Sequence, residues 1–335
     1  MRIDSGLSGD LAGAGESAAK LERAGFDGVI SIETAHDPFL PLVRAAESTE
    51  RVELITSIAV AFARTPMLLA NIGHDLNSFS KGRMIIGLGS QIQPHITKRF
   101  SMPWSKPAAR MKEFISAMHA IWDCWYDGKR LDFRGDFYTH ALMTPMFTPT
   151  DTEYGRPKVF LAAVGPLMTR AAAEVADGVI IHAFTTEKYL REVTLPAIDE
   201  GLAASGRKRE DFQISYPGFV VTGNNEEQFE QTKAAVRKQI AFYGSTPAYA
   251  PVLGAHGWGD LQPELNRLSK EGKWDEMGTL ITDDILGEFA VVGETDAAVD
   301  QFKARFGDIV DRTTAGFASR DEDHRAAILD KLRAA

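Results

Sequence analysis

"LERAGFDGVISIETAHDPFLP", residues 21–41, passes from a helix into a buried strand and then into a cluster of ionisable side chains. Gly25 ends the helix, since a left-handed C-terminal position costs glycine least. The apolar run that follows turns abruptly polar at Glu33, Thr34, His36 and Asp37, and Pro38 and Pro41 close the exit. The same logic returns in "AAAEVADGVIIHA", residues 171–183, where Asp177-Gly178-Val179-Ile180 echoes Asp27-Gly28-Val29-Ile30. Both strands run on to a histidine, His36 in one case and His182 in the other. A repeated helix–turn–strand unit is what a parallel sheet built from βα units requires.

Short β-branched runs alternate with helical patterns along the whole chain. Candidate strands are residues 2–7, 27–33, 52–58, 83–88, 158–163, 178–182, 213–221 and 312–317. Eight such strands within 335 residues predict an α/β fold, a (β/α)8 TIM barrel, as one domain over residues 1–335 with insertions after strands 4 and 7. Residues 90–108 and 128–156 flank the helix after strand 4, and "LDFRGDFYTH" within the second reads as a hairpin around Gly135. Residues 244–288 form the insertion after strand 7. Insertions of this size are usually lids or partner surfaces, so all three are expected over the barrel mouth. There the C-terminal ends of the strands share one face, and that face carries the chemistry.

Composition removes several function classes. A net charge of −9 without any Lys/Arg run argues against nucleic acid, which demands a basic face. No segment approaches the roughly 18 uncharged apolar residues of a membrane span. The opening "MRIDSGLSGD" lacks the apolar region of a secretory signal, so a cytoplasmic location is expected. Cys124 is the sole cysteine and lies in a helical pattern with Met111, Phe114, Ile115, Met118, Ile121, Trp122 and Trp125, which makes it a packed thiol. Histidines 36, 95, 140, 182 and 256 could be pooled as ligands of a metal-dependent barrel hydrolase. The end of strand 1, "DSGLSGD", supplies no histidine, and no metal site is expected.

Four stretches could carry chemistry. Glu33, His36 and Asp37 close strand 2, where an imidazole beside carboxylates would have a raised pKa and exchange protons near neutral pH. In "ERVELITSIAVAFARTP", Thr56 and Ser57 interrupt core residues where strand 3 opens into the mouth, and Arg64 precedes a helix start at Thr65-Pro66. In "GRMIIGLGSQIQPH", Gly87 and Gly89 allow close approach of a planar ligand, with Ser90, Gln91 and His95 as polar groups beyond them. In "VFLAAVGPLMTRAAAEVADG", a Gly165-Pro166 turn starts a helix at once, and its free N–H groups face the mouth as a site for phosphate.

Together these stretches resemble the bacterial luciferase-like superfamily of (β/α)8 barrels, in particular the branch that uses the deazaflavin coenzyme F420. "GFDGVISIET" looks like that family's second strand, "RVELITSIAVAFARTP" its third, "GRMIIGLGSQ" its fourth and "FLAAVGPLMTRAAAEVADGVI" its fifth through sixth. The resemblance implies an oxidoreductase that moves a hydride between the deazaflavin and a small, apolar or aromatic organic substrate. An FMN-dependent monooxygenase is the alternative, and a non-catalytic cofactor-binding protein the blandest one. It further implies a cis peptide at Ser57–Ile58 against the ring, and ring or side-chain contacts from Ser90, with Thr34, Gln91 and His95 nearby. The cofactor phosphate would meet Val164, Gly165, Pro166, Leu167 and Met168. His36 would exchange the proton at the substrate, with Glu33 or Asp37 setting its tautomer. Family members commonly form homodimers. Two departures stand out: the family's adjacent acid–histidine pair is Glu33-Thr34 here, and a glutamate that follows strand 4 in sugar-phosphate dehydrogenases is replaced by Ile92.

Overall fold

The computed structural model describes residues 1–7 and 10–334. Eight parallel strands close on themselves: β1 (Arg2–Gly6), β2 (Gly28–Ser31), β3 (Glu53–Thr56), β4 (Met84–Gly89), β5 (Lys158–Ala163), β6 (Gly178–Ile181), β7 (Gln213–Tyr216) and β8 (Arg312–Thr313). Each pairs with its sequence neighbours, and β8 joins β1 through the registers Arg2 to Arg312 and Ile3 to Thr313. The fold is the (β/α)8 barrel that the sequence predicts, with helices packed around the strands.

The repeated Asp-Gly at the strand starts has a physical cause. Asp27 Oδ2 accepts the Ile3 N–H at 2.8 Å, and the Asp27 N–H donates to the Ile3 carbonyl at 2.8 Å. Asp177 repeats both bonds with Val159, each at 2.8 Å. Asp311 repeats them with Ile214, at 2.7 and 2.9 Å. Each aspartate thus clasps the entry of one strand onto that of the strand beside it. The glycines that follow Asp27 and Asp177 are forced by crowding against neighbouring strands. A Cβ on Gly28 would come within 2.4 Å of Asp4 Oδ1, and one on Gly178 within 2.8 Å of the Phe160 ring.

The lumen is apolar above and charged below. Ile30, Ile55, Ile85 and Phe160 are buried there against Ile180. Beneath them Arg312, 1 % exposed, donates from Nε and Nη2 to the two oxygens of Asp4, both at 2.8 Å, and pairs with Glu53 at 2.9 Å. Burial pushes the Asp4 carboxyl above its ordinary range despite the guanidinium beside it.

Two expected strands change shape. Residues 213–221 break at Gly218, whose positive φ turns the chain, so Phe219–Val221 leaves the barrel and pairs in parallel with Ala290–Val292. That pair, with helix Glu226–Gly244 and the helices of the 244–288 insertion, encloses a second core around Phe184, Ile240, Leu265 and Phe289. The expected strand 312–317 keeps ladder pairing only at Arg312–Thr313.

The insertions do not all cover the mouth. Residues 90–106 lie in the β4-to-helix connection, at the C-terminal end of β4, whereas 128–156 leaves from the far end of helix Pro107–Asp127. Its hairpin, Phe133–Arg134 with Thr139–His140, climbs back along that helix, because Glu113 accepts the N–H groups of Asp136, Phe137 and Tyr138 at 2.8, 2.7 and 2.7 Å. Asp151 then fastens the segment to His74 at 3.1 Å and Ser78 at 2.7 Å on helix Pro66–Phe79. It is a strap on the outside of the barrel.

Asp4→Ala is expected to destabilise the protein by about 3–5 kcal/mol, because the Arg312 charge is left in the lumen without its main partner. Urea unfolding measures this. The double change Asp4→Leu with Arg312→Met should recover most of the loss.

Candidate functional site

Strand ends place the sequence candidates on one face of the barrel. At β3 the ladder continues through Ser57, whose N–H donates to the Ser31 carbonyl at 2.9 Å, and the Ser57–Ile58 peptide is cis. The carbonyl of Ile58 accepts the Glu33 N–H at 3.3 Å, which joins the ends of β2 and β3. Ser57 and Ile58 are half-buried, as are Ser90 and Gln91 at the end of β4. Gln91 takes a positive φ of 60°, and its side-chain oxygen accepts the Ile92 N–H at 3.0 Å.

The ionisable cluster after β2 is organised differently from the expectation. Glu33 Oε2 accepts the Val60 N–H and the Arg64 Nη1–H, each at 2.7 Å, and Arg64 Nη2 pairs with Asp37 at 3.0 Å. Asp37 Oδ1 also accepts the Phe39 and Leu40 N–H groups at 2.8 and 3.2 Å, at the start of helix Leu40–Ser48. Both carboxylates are therefore committed to Arg64 and the backbone, and neither contacts His36. His36 and Thr34 are exposed, and the Thr34 carbonyl is held by Arg99 at 2.5 Å. The pairing of His36 with Glu33 or Asp37 is corrected accordingly: a guanidinium supplies a fork that matches two carboxylates and outcompetes an imidazole.

The strand-4 glycines are also explained by packing. A Cβ on Gly87 would lie 1.9 Å from the Thr56 carbonyl oxygen, and one on Gly89 2.9 Å from the Ile58 side chain. Their close approach is to β3, reinforced by the Thr56 hydroxyl donating to the Gly87 carbonyl at 2.8 Å. His95 lies exposed in the turn that follows.

Beyond β5, Gly165 has a φ of 74° and precedes helix Pro166–Val175. Val164, Pro166 and Leu167 are exposed, Gly165 half-buried and Met168 buried. A small cleft lies here, lined by Val164, Gly165 and Thr169 on one side and by His182, Thr185 and Tyr189 on the other. His182 is the strand-end histidine of the second Asp-Gly unit. Its Nδ1 accepts the Phe184 N–H at 3.0 Å, and its ring stacks on Tyr249 at 4.7 Å and meets the edge of Tyr243 at 4.6 Å. Burial lowers its pKa to about 4. Thr185 is buried, and its Oγ1 has no partner. In the sequence His182 stands out only as a strand-end histidine and a member of the set-aside pool of metal ligands, and nothing local marks Thr185, whose burial depends on the distant insertion.

The aromatic side chains of the insertions are mostly packing. Trp104 meets Phe62 edge-on at 5.7 Å, Tyr138 meets Phe114 at 5.3 Å, and Trp258 stacks on His256 at 4.5 Å. Phe137 and Phe147 belong to the outer strap. Among the described residues no three His, Cys, Asp or Glu side chains gather as a metal site. No described helix is long and apolar enough to cross a membrane.

Residues 2–312 match the model of the luciferase-like monooxygenase family. The chain belongs to that family. An uncharacterized protein of Mycobacterium tuberculosis is 53 % identical over 99 % of this chain and 98 % of its own length. An F420-dependent glucose-6-phosphate dehydrogenase of Intrasporangium calvum is 31 % identical over 58 % of this chain and 61 % of its own. Among solved structures, the coenzyme F420 dependent tetrahydromethanopterin reductase from Methanopyrus kandleri superposes with a TM-score of 0.78 at 18 % identity, over 98 % of this chain and 96 % of that one. Its fold is the same barrel.

The depressed pKa of His182 has a sign that can be checked. Below the ordinary value of 6.5 the unfolded chain gains a proton that the folded ring refuses until about pH 4. Stability from this group is present above pH 6.5 and is lost as pH falls to about 4. Urea midpoints at pH 7 and pH 5 should drop less for His182→Phe than for the natural chain.

Proposed function

We propose that this protein is an oxidoreductase that transfers a hydride between coenzyme F420 and a small organic substrate. The observation that carries the reading is the run of candidate contacts along four adjacent strand ends. Ser57–Ile58 follows β3, Ser90 and Gln91 follow β4, the Gly165 turn follows β5, and His182 follows β6. Neighbouring strands lie about 4.8 Å apart, so this run spans roughly 10–15 Å. That length suits a flat tricyclic ring at the β3–β4 end joined by a ribityl chain to a phosphate at the β5–β6 end. Thr185 lines the cleft at that end, with its hydroxyl buried and without a partner among the described residues. F420-dependent relatives favour the deazaflavin over FMN.

When bound, the deazaflavin supplies hydride chemistry at its ring, and the chain's share is binding, orientation and proton control. The cis Ser57–Ile58 segment and the half-buried Ser90 and Gln91 would hold the ring; Thr34, exposed beside it, and His95, further along the same loop, would border it. Val164, Gly165, Pro166, Leu167 and Met168 would receive the phosphate, with the helix N-terminus supplying N–H donors. Arg64 fixes the loop that carries His36 by holding Glu33 and Asp37. His36, exposed and without a carboxylate partner, would give or take the proton at the substrate. Glu33 and Asp37 then act by positioning that loop. Ile92 stands where a sugar-phosphate dehydrogenase of this branch has a glutamate, so a sugar phosphate is a poor substrate candidate. FMN-dependent monooxygenation is the second reading, favoured by the family to which the chain belongs.

Titration of the purified chain with F420 and with FMN is expected to change the fluorescence of F420 alone; binding of FMN and not F420 reverses the choice. His36→Ala should keep F420 affinity while turnover of a substrate found by screening falls about a hundredfold or more. Full turnover in that variant removes His36 as proton carrier. Arg64→Met should cost about 1.5–3 kcal/mol in urea unfolding, since it deletes charge-assisted bonds to two carboxylates, and should lower turnover with little change in F420 affinity.

A further inference from the structure

We infer that the substrate is an organic carboxylate, and that Arg99, in the connection after β4, is the side chain that receives its anionic group beside His36. The inference rests on the proposed function for the place of His36 and deepens it by naming the chemical class of the substrate.

The chain carries a net charge of −9, yet residues 76–112 hold seven lysines and arginines and no acid, the longest acid-free stretch in the sequence. Lys81 and Arg83 precede β4, and Lys112 pairs with Glu174. Arg110 is buried, stacked over the Phe62 ring at 4.1 Å and donating to the Pro103 carbonyl at 2.7 Å. Lys98, Arg99 and Lys106 remain, all exposed in the β4-to-helix connection and without a carboxylate partner among the described residues. A positive patch on an acidic protein draws anions to the barrel mouth.

Among the described residues, Arg99 is the one of these three whose side chain makes a hydrogen bond: its Nη2 donates to the Thr34 carbonyl at 2.5 Å, and its guanidinium lies over the Phe100 ring at 4.8 Å. A carbonyl orients a guanidinium without neutralising it, and the rest of the fork is open to solvent. Glu33 and Asp37, the carboxylates of the same segment, are held by Arg64. Thr34 precedes His36 by two residues, about 7 Å of extended chain, so an anion seated on Arg99 lies beside the proton carrier. One planar fork matches the two oxygens and single charge of a carboxylate. A phosphate dianion asks for a second fixed cation, and no side-chain bond fixes Lys98 or Lys106.

The connection that carries Arg99 is held in shape. Gln91, Ser101 and Lys106 have φ of 60°, 55° and 32°, and among the described residues the only other non-glycine residue with a positive φ is Lys81. Such backbone is costly for a residue with a Cβ, persists where its surroundings hold it, and gathers at ligand clamps and active sites. The Phe100 N–H donates five residues back to the His95 carbonyl at 3.0 Å, a widened turn of a kind frequent at functional sites. Ile96 is fully buried, and its carbonyl accepts the Met102 N–H at 3.0 Å. The backbone is thus fixed on both sides of Arg99 before a ligand arrives.

Calorimetry on the full chain, alone and saturated with F420, tests this with benzoate, phenylacetate and 3-phenylpropionate, each against its amide. At least one carboxylate should bind about tenfold or more tightly than its amide. An approximately tenfold rise in salt should weaken that carboxylate and leave the amide unchanged. Arg99→Met should erase the preference without altering amide binding or F420 affinity; Arg99→Lys, which keeps the charge and loses the fork, should retain part of it. Equal affinity for acid and amide in every pair, or no binding of any probe, overturns the inference and leaves the cofactor reading standing. A preference that survives in Arg99→Met overturns it too. So does an Arg99→Met variant that weakens F420 itself, which assigns the cation to the cofactor's own carboxylates. If the natural chain binds no F420, the cofactor reading falls, and the acid-to-amide ratio of the chain alone still decides whether Arg99 receives a carboxylate.

Discussion

The guanidinium of Arg312 is the constraint on which the closed barrel depends. Strand β8 contributes only Arg312 and Thr313 to the ladder, so few main-chain bonds draw the last strand to the first. Arg312 compensates from inside the lumen, reaching Asp4 on β1 and Glu53 on β3, with Arg2 meeting Glu53 from below at 2.5 Å. A charge buried this deeply is held only by complete pairing, and Gly28 has to lack a side chain for the pair to fit. Closure, lumen packing and the Asp-Gly repeat are one problem with one solution.

Closure matters for function because it aligns the strand ends. The aspartate clasps act at the opposite end, where Asp27, Asp177 and Asp311 fix each strand's entry against its neighbour. With entries fixed, the loops above the strands start from defined points on one face. Arg64 performs the corresponding task at the mouth, tying the end of β2 to the segment after β3 through Glu33 and Val60. Rigid strands below and an ion-paired loop above leave His36 as a side chain with a located backbone and a free imidazole.

Much of this was legible in the sequence because it is local. The helix–turn–strand repeat, the hairpin around Gly135 and the strand-end polar groups are each written within about ten residues, and period and turn chemistry are local signals. The family resemblance also located the cis peptide at Ser57–Ile58. What was not legible is non-local. Nothing near Glu33 announces that Arg64 will occupy it. The side trip of Phe219–Val221 out of the barrel depends on pairing with Ala290–Val292, a short run overlooked beside an insertion. The glycines of strand 4 looked like room for a ligand and proved to be room for β3, since a missing Cβ does not say which neighbour needs the space.

The second core explains why the cleft at β5 and β6 has its character. Tyr243 closes helix Glu226–Gly244 and Tyr249 begins the insertion, and both rings bear on His182 at the barrel rim. Phe184, two residues on, packs into the insertion's core against Phe289 at 4.6 Å. The segment from His182 to Thr186 is thereby drawn away from solvent, and Thr186 is secured from the same side by His256 at 2.7 Å. Burial of Thr185 and the low pKa of His182 are consequences of this one contact between rim and insertion. An insertion of this kind need not cover the mouth to shape it: by packing against the rim it desolvates two residues there and keeps the His182 ring neutral.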